Sequence, residues 1–307
     1  MANIDKLSPT HLFELLDLWL TLHSKPKIKS ATYRSYSLTV RYIKEHSKNH
    51  LITELKEYHG QNIINKLLKE KYSKSTLDKI KIVLKASLVY AVRNEWIETN
   101  PFLYLSVPAS APVKEVVSLT LTEQKKIEKA CEYSDYGDAT LFLLQTGLRL
   151  DELINLKWND FTPKENSEIK KAFIYIRKSK TKKGVRIVPL LDVAESIILK
   201  QRKINAYIFN CREDTPFSAT VLSRHNKRLR ESTGIENFTN HICRHTFATR
   251  AVEKGMNIKA LSAILGHSDV SFTMRRYAHA DDTFIFTQMT LLEAAMNSNT
   301  EQISRSL

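Results

Sequence analysis

Apolar residues at Leu12, Leu15, Leu16 and Trp19 recur at helical spacing, and Ser8-Pro9 before them reads as a cap followed by a first-turn proline. Three more helical segments follow. Residues 31–46 carry Tyr33, Tyr36 and Tyr42 among Arg34, Arg41 and Lys44, residues 61–70 are short and amphipathic, and residues 75–94 set Leu77, Ile80, Leu84, Leu88 and Ala91 on one stripe. Together they predict a small four-helix domain over residues 1–106, with most of its tyrosines in the core. The helical period stops at Asn100-Pro101. Residues 107–118, through Pro108, Pro112 and Val117, read as an extended linker.

A second domain, 119–307, opens with Thr122 as the N-cap of a helix at 123–132, followed by an apolar helix at 138–145. Between 172 and 190 the period changes to two, in FIYIRK and VRIVPL on either side of SKTKKG, which predicts a β-hairpin with a basic tip. Helices resume at 192–203, 220–231, 241–254, 258–265 and 271–279. A tail helix at 283–296 carries an apolar face of Phe284, Phe286, Met289, Leu291, Leu292 and Ala295, to be packed on its own domain or on a neighbouring one. The fold class is therefore mainly α with a small β-hairpin or sheet (α+β), in two domains.

Charge sharpens this picture. The 307 residues include 47 Lys and Arg against 33 Asp and Glu, a formal charge of +14 that favours a polyanionic partner. Residues 1–100 carry 17 basic and 10 acidic side chains and residues 151–250 carry 20 and 11, whereas 101–150 and 251–307 are each at −1. Two basic bodies joined by a neutral segment suit contact with a duplex from two sides; two solubilising surfaces are the plainer alternative. The three cysteines, Cys131, Cys211 and Cys243, have no CxxC spacing, which argues against a disulfide framework or a thiolate zinc site. With no signal-like start and no run of about 18 apolar residues, the expectation is a cytoplasmic protein, nucleoid-associated when on DNA, with no membrane partner.

Three segments carry the candidate chemistry. They are Thr146-Gly147-Leu148-Arg149-Leu150-Asp151-Glu152-Leu153, then His241-Ile242-Cys243-Arg244-His245, then Leu265-Gly266-His267 followed ten residues later by Tyr277. Singly each is weak, because TGLR is only a turn entering a helix and a lone helical tyrosine is usually core or surface. In this order, with the basic hairpin between the first two, they resemble the catalytic pattern of the tyrosine recombinase (phage integrase) family. The resemblance covers nearly the whole chain. It implies a SAM-like helical core-binding domain and a mostly helical catalytic domain that together clamp DNA. It further implies Arg149 and Arg244 as phosphate-binding arginines, Lys180 as the hairpin lysine, His241 and His267 as active-site histidines and Tyr277 as nucleophile. Glu152 then matches a supporting acidic position, and His245 braces the site by hydrogen bonding. Cys243 stands where the family commonly has leucine, an apolar swap that leaves the chemistry intact and adds a point of thiol sensitivity.

The residue types suit phosphoryl transfer. Attack on a phosphodiester builds negative charge on two non-bridging oxygens, which two guanidinium forks can hold while staying charged at any cellular pH. A phenol with a reference pKa near 10 needs a base and a cationic surround, which His241 or His267 can help supply. The departing 5′ oxygen needs a general acid, for which Lys180 is the candidate, with Lys178, Lys182 and Lys183 close by and suited to backbone contact. A 3′-phosphotyrosyl product conserves the phosphodiester's energy, so neither ATP nor metal is required. No phosphate-loop motif or two-metal carboxylate cluster is found, and the His241/His245 spacing lacks a zinc protease's glutamate, Ile242 standing in its place. The expectation is no cofactor and no metal.

The functional expectation is a site-specific recombinase or integrase of a mobile element. A Xer-type recombinase or DNA invertase is the alternative, with a type IB topoisomerase or an inactive DNA-binding protein behind them. The expected partners are double-stranded DNA at specific sites and three further copies in a homotetramer on synapsed DNA, the free chain being monomeric or weakly associated. The expectation is a chain without the extra amino-terminal arm-binding domain of larger phage integrases, so that long-range bridging would need accessory DNA-bending or directionality proteins.

Overall fold

The computed structural model describes residues 8–113, 117–168, 170–177, 184–211, 215, 217–266 and 289. The chain divides into two compact units, Met1–Glu115 and Val116–Leu307. Its fold is mainly helical with one small antiparallel sheet.

In the first unit, helix α1 (Leu12–Leu18) runs on into a π-helical turn at Trp19–Ser24 and is followed by α2 (Ser30–His46), α3 (Glu57–Lys69) and α4 (Lys74–Arg93). The apolar stripes meet in one core in which Leu15, Leu16, Ile43, Ile64, Leu67, Leu77, Ile80 and Leu84 are fully buried. Tyr33 and Tyr36 pack against it, and Tyr36 lies 5.7 Å from Trp19 between ring centroids. Two element starts differ from the sequence reading. Helix α1 is capped at His11 rather than Ser8, because residues 10–12 pair with 50–52: the Leu12 amide donates to the His50 carbonyl and the Ile52 amide to the Thr10 carbonyl. Glu14 then reaches back to the amides of Thr10 and His11, as an acidic first-turn residue should. Helix α3 starts at Glu57, four residues earlier than its apolar pattern, because the His59 ring accepts the Lys56 amide hydrogen bond. Beyond α4, Phe102, Leu105 and Ala111 bury themselves in this same core, and the Lys74 amide donates to the Pro112 carbonyl.

The second unit begins with α5 (Leu121–Glu132) and α6 (Gly137–Thr146). The N-cap of α5 is Thr120, not Thr122. Thr120 and Glu123 exchange side-chain-to-amide hydrogen bonds at 3.2 and 2.8 Å, a reciprocal cap that Thr122 cannot form because Lys125 stands three residues after it. A short helix α7 (Leu150–Ile154) leads to strand β1 (Phe161–Thr162), which the sequence reading omitted, and then to β2 (Phe173–Ile176) and β3 (Arg186–Pro189). The sheet order is β1-β2-β3, antiparallel throughout, with Ile174 opposite Val188 and Ile176 opposite Arg186.

Helices α8 (Asp192–Leu199), α9 (Ala219–Thr233), α10 (Asn240–Glu253) and α11 (Ile258–Leu265) complete the described part of this unit. Helix α8 stops short of the expected residue 203, where the Gln201 side chain turns back to the Ile197 carbonyl and Asp138. Apolar α6 packs against α5, α8 and α10, burying Phe142 and Leu143 with Phe209, Phe238 and Leu153. Thr246 accepts the Leu119 amide and Arg250 donates to the Leu119 carbonyl and to Gln124, fixing α10 against the start of the unit. The expected helix at 271–279 lies outside the described residues, as does that at 283–296 except for the exposed Met289. No described helix is long and apolar enough to cross a membrane.

Candidate active site

Arg149 occupies the cap position of α7, on the turn that leaves α6. That turn needs Gly147. Its φ is +64°, and a Cβ there would lie 2.5 Å from the Phe247 ring and 2.9 Å from Leu265. From this position the Arg149 amide donates to Glu152 Oε2 at 2.9 Å, Nη1 donates to Glu152 Oε1 at 2.9 Å, and Nη2 donates to the Gly266 carbonyl at 3.0 Å. The side chain remains 31% exposed.

Arg244 projects from the second turn of α10, whose first turn is capped by the Thr239 hydroxyl. It is buried, with Nη1 donating to the Gly147 carbonyl at 2.8 Å and Nη2 to the Leu265 carbonyl at 2.7 Å. Two arginines far apart in sequence thus converge on the C-terminus of α11, Arg149 at Gly266 and Arg244 at Leu265, and Arg244 also ties that end to the turn at Gly147. The physical reason lies in the helix end. The last carbonyls of α11 have no partner within the helix and carry its negative pole, so guanidinium groups satisfy both needs.

His241 stands in the first turn of α10, three residues before Arg244 and exposed, while His245 is buried one turn further on. Their rings are 5.6 Å apart and nearly perpendicular. Among the described residues, no group of three or more His, Cys, Asp or Glu side chains is disposed to hold a metal ion.

A third arginine, absent from the motif reading, completes the network. Arg186 of β3 grips Glu152 with both terminal nitrogens, Nη1 to Oε1 and Nη2 to Oε2 at 3.0 Å each. Its Nη1 also donates to Gly184 at 2.8 Å, and its Nε donates to the Ile264 carbonyl. Ile264, Leu265 and Gly266 therefore each accept from a different arginine. Gly266, at φ +66°, makes room for this: a Cβ would sit 2.9 Å from Arg186 Nη1. Burial pushes the Glu152 carboxyl up, but the hydrogen bonds and charge of Arg186, with the donors of Arg149, outweigh it and hold Glu152 below the usual carboxylate range. Arg186 shares the inward face of β3 with Val188, a parity that the sequence alone leaves open because Val185 and Ile187 are apolar on the other face.

On the strand opposite, Arg177 at the end of β2 pairs with Asp160, itself bonded to the Lys157 amide. Each arm of the hairpin is thus tied down by an arginine–carboxylate pair. The hairpin tip with Lys178, Lys180, Lys182 and Lys183, and the residues His267 and Tyr277, lie outside the described residues. The expected thiol sensitivity of Cys243 is corrected: its side chain is wholly buried in the core, and that burial pushes the thiol far above its ordinary range.

Residues 115–283, more than half of the chain, match the model of the phage integrase family. The chain is 28% identical to a tyrosine recombinase XerC-like protein of Caldanaerobacter subterraneus, over 90% of this chain and 81% of that one. It is 31% identical to the transposase of transposon Tn916 from Enterococcus faecalis, over 68% of this chain but only 59% of the transposase. Among solved structures, the integrase of transposon Tn1549 in complex with a circular intermediate DNA superposes with a TM-score of 0.72 at 23% identity, covering 92% of this chain and all of that one. The chain belongs to the phage integrase family, the tyrosine recombinases, enzymes that cut and rejoin DNA.

Proposed function

We propose that this chain is a site-specific recombinase that moves a mobile element by cleaving and rejoining double-stranded DNA through Tyr277. The observation that carries the reading is the convergence of Arg149 and Arg244 on the α11 terminus, one side chain buried and one partly exposed. Such a pair suits the two non-bridging oxygens of a scissile phosphate. His267 follows directly on Gly266, and Tyr277 comes ten residues later in the chain.

In this scheme Tyr277 attacks phosphorus, His241 and His267 assist its deprotonation, and Lys180 protonates the departing 5′ oxygen. A 5′ hydroxyl from another strand then reverses the attack on the 3′-phosphotyrosyl bond. Exchange between two duplexes breaks four strands, one per tyrosine, so the working assembly is a homotetramer on synapsed DNA. Residues 1–106 serve as the core-binding domain, 107–118 as the linker and 119–307 as the catalytic domain, with the 283–296 tail helix packed in its own domain or a neighbour's.

Likeness to transposon enzymes favours a mobile element, and likeness to the XerC-like protein supports a Xer-type role as the second reading. The test is to incubate the purified chain, without metal or nucleotide, with fragments of its source genome and to sequence DNA that stays protein-linked after denaturation. Linkage at the ends of a mobile element supports the proposal, whereas linkage at one chromosomal site that recombines only with its own copy supports the Xer-type role. Salt-sensitive binding with no linked DNA, in the presence of element ends, would overturn both.

A further inference from the structure

We infer that Arg186 is a positioning residue whose charge offsets Glu152, so that the positive charge of Arg149 remains available to the DNA phosphate. The inference rests on the assignment of Arg149 to that phosphate.

Arg149 lies against a carboxylate, and an isolated Arg149–Glu152 pair would have no net charge. A neutral pair is a poor anchor for an anion. Arg186 changes this by taking one hydrogen bond on each Glu152 oxygen, while Arg149 Nη1 shares only Oε1. The three side chains then carry a formal charge of +1. The Glu152 and Arg186 side chains are 3% and 7% exposed, so their attraction is little screened, and Arg149, at 31%, is the least buried of the three. Arg186 is itself held by the carbonyls of Gly184 and Ile264, and the missing side chain of Gly266 leaves space for its guanidinium. The arrangement joins two buried charged side chains to a third that is partly exposed.

A purely structural Arg186 would predict something different, and a charge-restoring pair of substitutions separates the two. Single-turnover formation of the covalent protein–DNA adduct is measured for wild type, R186Q, R186K and the double variant E152Q/R186Q, with a thermal melt of each. R186Q drops the cluster to zero net charge and should slow adduct formation on the order of 100-fold, as loss of a transition-state donor does. R186K keeps the charge and should stay within about 10-fold of wild type. The double variant returns the cluster to +1 and should recover at least about 10-fold over R186Q. If R186Q fails to fold, the folded double variant is compared with wild type instead, and a rate within about 10-fold supports the role.

A double variant as slow as R186Q, an R186Q as fast as wild type, or a folded double variant slowed on the order of 100-fold would overturn the inference. A wild-type chain that forms no adduct is a separate result, because it refutes the assignment of Arg149 itself and the role of Arg186 with it.

Discussion

Replacing Glu152 by glutamine tests the arginine network through stability. The substitution keeps shape but removes the charge between Arg149 and Arg186. Arg186 is 7% exposed and Glu152 3%, so the change strands a buried guanidinium, for which about 3 kcal/mol is expected, the low end for breaking a buried pair. The partly open Arg149 pair adds little, since solvent screens it. For a unit the size of Val116–Leu307, about 3 kcal/mol corresponds to a melting-point drop of roughly 6–12 °C. Calorimetry reads this, with Leu16→Ala in the first unit's core as the marker for the other transition. The pH profile adds a second check. Because the folded carboxyl titrates below its ordinary value, its contribution is full above the unfolded pKa near 4.3 and is lost as pH falls through the lower folded value. The gap between wild type and E152Q should therefore narrow on acidification. A melting point within about 2 °C of wild type at neutral pH would refute the reasoning.

Two further outcomes follow from the same geometry. Arg149→Ala and Arg244→Ala should each slow strand cleavage by about 100- to 1,000-fold in single-turnover assays, and Arg244→Ala should also lower the melting point because it leaves the Gly147 and Leu265 carbonyls without their donor. Cys243 and Cys131, the latter's thiol pushed up to about 12 by burial, should resist a water-soluble thiol reagent in the native protein and react only as the second unit unfolds, so rapid labelling of either would show that this core is more open than described.

How far the sequence could be read depended on whether a residue's role was set locally. Arg149 and Glu152 sit three apart on one short helix start, and Arg244 lies within a five-residue string, so the motifs led directly to them. Arg186 escaped because VRIVPL offers apolar residues of both parities. Val185 and Ile187 are the exposed ones, whereas Val188 and Leu190 are buried with Arg186 on the inward side. The buried charge of Glu152 and the carbonyls of Gly184 and Ile264, brought there by tertiary packing, make an inward arginine favourable. The hairpin strands were legible from their alternation, while two-residue β1 carries too short a pattern to read. The misplaced cap of α1 has a similar origin, since its start is decided by pairing with residues 50–52, far off in sequence.

The central claim, that Tyr277 is the nucleophile, is tested most directly by isolating the DNA-linked peptide after proteolysis of the adduct and identifying the modified residue by mass spectrometry, with Tyr277→Phe run in parallel. The account predicts a single linkage, Tyr277 to a 3′ phosphate, formed without metal or nucleotide and absent from the variant, whose DNA affinity is unchanged. A linkage on any other residue, or cleavage by Tyr277→Phe at the wild-type rate, would contradict it.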